Sequence, residues 1–130
     1  MFKLEDIQKA HAKVKSGADF PGYIQDLKKL GVIRYETFVD DGHTIYSGDN
    51  NYQVESPPKY AKLEVQASSQ PEKFLEGLKI HQHGQTDYPT FCRHSAETGV
   101  EKWTVDIGRM TCTYFDKSGN QMLEEKIPQA

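Results

Sequence analysis

Cysteine is nearly absent from the 130-residue chain: Cys92 and Cys112 are the only two, and they do not form a Cys-x-x-Cys pair. A disulfide framework is therefore not expected, and a reducing, cytoplasmic setting is. Long apolar runs are missing as well. No window approaches the length needed to cross a bilayer, and Met1 to Lys15 carries charges every second or third position, unlike a signal or transit peptide. Nor is there an excess of one charge. The net charge is −3, and residues 1–65 hold 9 basic and 10 acidic groups against 7 and 9 in residues 66–130. Without a basic arm or stripe to attract phosphates, neither nucleic acid nor a membrane is expected as a partner. The chain also lacks a Gly-x-Gly-x-x-Gly, a P-loop, a His-Glu-x-x-His and a calcium loop.

What the chain does contain is itself, twice. Asp19-Phe20-Pro21-Gly22-Tyr23 and Asp87-Tyr88-Pro89-Thr90-Phe91 share a pattern at an offset of 68 residues. In the same ungapped register Gly31-Val32 falls on Gly99-Val100, Arg34 on Lys102, Tyr35 on Trp103, Val39 on Ile107 and Tyr46 on Tyr114. An internal repeat covering 1–55 and 69–127, joined by a linker at 56–68, is the expected organisation of one domain spanning 1–130.

Each half reads as helix, helix and a meander of strands. Leu4, Ile7, Ala10 (or His11) and Val14 recur at helical spacing, with Glu5 and Asp6 at the amino end and Lys13, Lys15 and Gly17 closing it. Asp19 is expected to cap a second helix that ends at Gly31. The period then changes to two, through Ile33, Tyr35, Thr37 and Val39, before a turn at Asp40-Asp41-Gly42, a return strand at Thr44–Tyr46 and a weaker strand near Tyr52 and Val54. After Ser56-Pro57-Pro58 the linker holds at most a short strand around Leu63 and Val65. Ser69 and Glu72 have capping-box spacing for the next helix. Asp87 and Gly99 bound another, and strands follow around Trp103 and Val105, after Thr111, and through Met122, Leu123 and Ile127. The fold class expected is α+β, two similar helix-helix-strand-meander halves forming an antiparallel sheet with helices packed on it.

His81, His83, Cys92, Arg93 and His94 form the only local cluster of metal-ligand residue types, which raises a zinc site as a possibility. The i,i+2 spacing of His81/His83 and Cys92/His94 opposes it, because such pairs point to nearly opposite sides of a helix. The repeat opposes it too, since these positions fall on Lys13, Lys15, Ile24 and Asp26. No metal and no cofactor is expected. His83, Arg93 and His94 remain weak binding candidates because they replace Lys15, Gln25 and Asp26 by other polar types. Asp19 and Asp87 read as helix caps rather than an acid–base pair.

The stretches Ala12 to Pro21, Tyr35 to Val39, Asp40 to Thr44 and Gly99 to Trp103 resemble a family of uncharacterised bacterial and prophage-encoded proteins that carry the label "phage envelope protein". The resemblance implies no established activity and supplies no catalytic residues. Two functional classes follow from the sequence. One is a soluble, non-enzymatic binding protein for a small molecule or another protein, using the groove between its halves or one sheet face. The other is a small hydrolase-like or metal-dependent enzyme using the neighbourhood of His81, His83, Arg93 and His94.

Overall fold

A computed structural model describes residues 1–15 and 19–128. Along the chain run α1 (Leu4–His11), α2 (Phe20–Leu30), β1 (Arg34–Phe38), β2 (Thr44–Ser47), a 3-10 turn at Asp49–Asn51 and β3 (Gln53–Glu55). The same order of helix, helix and three strands then recurs as α3 (Pro71–Gln82), α4 (Tyr88–Glu97), β4 (Val100–Asp106), β5 (Thr111–Asp116) and β6 (Gln121–Lys126). The protein is thus α+β, with one six-stranded sheet in the order β3-β2-β1-β4-β5-β6. Every neighbouring pair is antiparallel.

Alternation decides which face is buried. In β1, Tyr35 and Thr37 are buried while Arg34, Glu36 and Phe38 are not; in β4, Trp103 and Val105 are buried. All four helices supply buried residues to the same core: Ile7 and Ala10, Tyr23, Ile24 and Leu27, Phe74 and Leu78, and Phe91, Cys92 and Ala96. Phe74 is fully buried between Phe91 and Tyr114, with ring centroids 6.1 and 4.7 Å away. Trp103 closes the group, 5.6 Å from Phe91 and 6.1 Å from Tyr114. Such tilted aromatic packing adds to area burial.

The register has an internal regularity. Tyr35 pairs with Tyr46 across β1 and β2, and Trp103 with Tyr114 across β4 and β5, so both partners are displaced by the same 68 residues. At the centre, Glu36 of β1 pairs with Thr104 of β4.

Helix ends follow the backbone's need to satisfy its terminal groups. Gly31 adopts φ 101° and Gly99 φ 92°. At the first, Gly31 N–H donates to Lys28 O and Val32 N–H to Leu27 O, at 3.1 and 3.0 Å, the double bond that a left-handed residue permits. Asp87 caps α4 by accepting from Thr90 N at 2.9 Å.

Several local expectations are corrected. Asp19 does not cap α2 with its side chain; its Oδ2 accepts from Lys15 N at 3.0 Å instead. The Ser69/Glu72 capping box does not form, because Pro71 opens α3 and Gln70 becomes the preceding residue. Helix α1 stops at His11, so Lys13 and Lys15 lie beyond it, and Gly17 lies outside the described residues. No strand forms around Leu63 and Val65. That segment is tied down by separate bonds, Leu63 N to Asp40 O at 2.6 Å and Gln66 N to Ala96 O at 2.9 Å, which satisfy its backbone without a ladder.

Candidate functional site

The structure separates the three residues that the sequence singles out. His83 follows the last turn of α3 and is exposed. Arg93 is exposed on α4 and donates to Thr90 Oγ1 at 3.1 Å. His94, which falls on Asp26 in the repeat register, has its ring against Gly77 of α3, where any side chain would overlap it, and its Nε2 meets Lys73 O at 2.9 Å. His94 lines a cleft of about 310 Å³ between α3 and α4 with Lys73, Glu76, Ile80, Thr86, Thr90 and Phe91. Neither His83 nor Arg93 is part of that lining. His81 stacks on Phe91 at 4.5 Å, and burial lowers its pKa. Packing between two helices is thus the visible work of His81 and His94.

A second cleft, of about 320 Å³, lies between α1 and the segment Ser56–Lys59. One wall is Leu4, Ile7, Gln8 and His11 of α1 with Ala12 just after it; these lie three, four, seven and eight residues on from Leu4, which places them on one side of the helix. The opposite wall is Pro57 and Pro58, and Tyr46 of β2 lies at the base. The rigid Pro-Pro step cannot donate backbone hydrogen bonds, so Ser56 anchors one side by accepting Thr44 N at 2.9 Å. On the other side Lys59 N donates to Asp41 O at 2.8 Å.

The polar groups of this cleft belong to a chain of contacts reaching α4. Tyr46 shares the core with Tyr23, whose ring meets His11 edge-on at 5.3 Å. Burial raises both phenols, Tyr23 far above its ordinary value. Lys59 is solvent-exposed as a residue, yet its Nζ sits 5.9 Å over the ring of Tyr88, and desolvation draws its pKa down. His11 is lowered as well, by desolvation first and then by the Lys59 charge. The Tyr60 hydroxyl donates to Val39 O at 2.6 Å, and burial pushes the Cys92 thiol up. Cys112 is pushed up to about 12 for the same reason. Both cysteines are free and buried. Thiols held protonated are poor nucleophiles.

Two other places gather charged or aromatic side chains. Among the described residues one trio of metal-ligand types converges, Asp40, Asp41 and His43, with ligand atoms within 4.8 Å of one another. It sits in the β1–β2 turn. Asp41 Oδ1 already accepts both the His43 amide at 3.0 Å and its Nδ1 at 2.5 Å. These bonds prevail over burial and lower the Asp41 pKa. On the sheet face away from the helices, Lys102 Nζ bonds Glu36 Oε2 at 2.8 Å and lies 5.8 and 5.7 Å over the rings of Phe38 and Phe115. Phe38 also stacks on His43 at 4.5 Å. The prominent side chains of that face are thus engaged with each other.

Neither His11 nor Lys59 was legible as a site residue. His11 alternates with Ala10 as the third member of a helical stripe, and Lys59 lies in a linker without regular structure. Only Pro57-Pro58 marks the place, and a Pro-Pro step in a sequence says no more than turn or linker.

No helix among the described residues is long and apolar enough to cross a membrane. No curated protein matches the sequence. The model of one family matches residues 8–126, nearly the whole chain, and the protein therefore belongs to that family, described as Protein of unknown function (DUF1398).

Proposed function

We propose that this protein is an internally duplicated, non-enzymatic binding domain that holds a small molecule in the cleft between α1 and Ser56–Lys59. The observation that carries the reading is the composition of that cleft. Apolar walls from Leu4, Ile7, Pro57 and Pro58 meet a few polar groups, His11, Tyr46 and Lys59, in about 320 Å³. A concave, mainly apolar site with a few convergent polar groups and perturbed titrations is the usual form of a ligand pocket. Binding without turnover is supported by Cys92 and Cys112, both kept protonated by burial. The free thiols also suit a reducing, cytoplasmic setting. Duplication is supported by the shared 68-residue displacement of the Tyr35–Tyr46 and Trp103–Tyr114 pairs.

The enzyme reading is not favoured, because His83 and Arg93 are exposed and outside the cleft that His94 lines. A thermal-shift screen of metabolites, followed by NMR mapping of each hit on the full chain, tests the proposal. Shifts centred on Ile7, His11, Tyr46 and Lys59 are expected. Hits that all map to the His94 cleft or to the open sheet face would overturn it.

A further inference from the structure

Resting on that cleft reading, we infer that the ligand is a small organic monoanion, a carboxylate with an apolar body, whose charged end is held by Lys59 and His11. The argument begins with charge. The lining contains one lysine and one histidine and no carboxylate. Among the described residues Lys59 forms no ion pair; its ammonium lies over the Tyr88 ring instead. A face-on aromatic ring stabilises a cation but leaves its remaining N–H groups able to donate. An ammonium beside a partly desolvated cleft gains more from an incoming anion than one in open water, because Coulomb attraction strengthens as the local dielectric falls.

His11 is the second polar group at the same place, in contact with Tyr23 and within the field of Lys59. As a neutral ring it can donate one N–H to the same anion without adding charge. One ammonium and one neutral donor match a single negative charge better than the two of a phosphate monoester. The rest of the lining selects the body of the ligand. Ile7 is buried, and Leu4, Pro57 and Pro58 present hydrocarbon, so an apolar chain or ring attached to the carboxylate has a surface to cover.

The test uses the full chain with two matched probes, phenylacetate and its neutral amide phenylacetamide, titrated by NMR at one ionic strength. Phenylacetate is expected to shift Ile7, His11 and Tyr46 and to bind more tightly than the amide. Lys59→Met should weaken phenylacetate by about tenfold or more, the usual worth of a charge-assisted hydrogen bond, while leaving the amide unchanged. Lys59→Arg should restore most of the acid's affinity. Gln8→Trp, an exposed change on the α1 wall, should weaken both probes. Equal binding of acid and amide, or an acid affinity insensitive to Lys59→Met, overturns the anion assignment and leaves the cleft standing. Tighter binding of phenyl phosphate than of phenylacetate overturns the monoanion. If neither probe perturbs the cleft residues at any concentration, the cleft reading falls together with this one.

Discussion

Glu36 and Thr104 stand directly opposite each other on the two central strands, and the Thr104 hydroxyl donates to Glu36 Oε2 at 3.2 Å. They are also 68 residues apart, the offset at which the two stretches of the sequence match. The energetic content of the pair can be measured. Glu36 also accepts from Lys102 at 2.8 Å on a half-buried surface. Glu36→Ala removes both bonds and leaves two donors unmatched, with an expected loss of about 1–2 kcal/mol in urea denaturation. No measurable change would mean that water replaces both contacts at no cost.

Trp103 is 8% exposed and touches Phe91 and Tyr114. Trp103→Ala should cost about 3–5 kcal/mol through lost burial and the cavity left behind. A loss below about 1 kcal/mol would contradict a core position.

Gly77 and His94 form a pair in which the glycine is the condition for the ring. Gly77→Ala should destabilise the chain by about 1–3 kcal/mol, because a methyl group overlaps the imidazole. In a His94→Ala background the sign should reverse, since alanine is favoured over glycine within a helix by about 1 kcal/mol. Additive effects in this double-mutant cycle would place His94 away from α3.

Acid should weaken the fold in two stages. Burial lowers the pKa of His11 and His81, so the unfolded chain takes up protons first as pH falls below about 6.5. Stability from this source is complete above that pH and is lost toward the lowered folded values. Asp41 and Asp87 are also lowered, the first by His43 against the effect of burial, the second by Thr90. Their contribution is complete above about pH 4 and is lost on further acidification. Urea midpoints at constant ionic strength should therefore hold between pH 8 and about pH 6.5 and fall from there to pH 3. A rise between pH 6.5 and pH 5 would contradict the lowered histidine pKa values.

Protein purified without chelator or affinity tag should carry no stoichiometric transition metal by elemental analysis. The spacing of His81/His83 and Cys92/His94 motivates this, as does the engagement of Asp41 with His43. A bound metal lost on His43→Ala would assign it to the turn; one lost on replacing His81 and His83 would assign it to the end of α3.

Periodicity and end signals were enough to read four helices, six strands and their order, because these depend on interactions a few residues long. Gly31 and Gly99 end their helices as their left-handed tolerance foretold, and Tyr35 and Trp103 share the buried face because side chains alternate along a strand. Choices between competing local partners were beyond such a reading. Asp19 turned to Lys15, and Pro71 set the start of α3 so that Gln70 rather than Ser69 precedes it. The site lay further out of reach. Its walls come from residues 4–12, 46 and 56–59, which have no common period and meet only when α1 packs beside the Pro57-Pro58 segment. Residue types at fixed spacing reveal a site on one helix or turn; a cleft made by packing separate segments exists only once the burial of Ile7 and Tyr46 has brought them together.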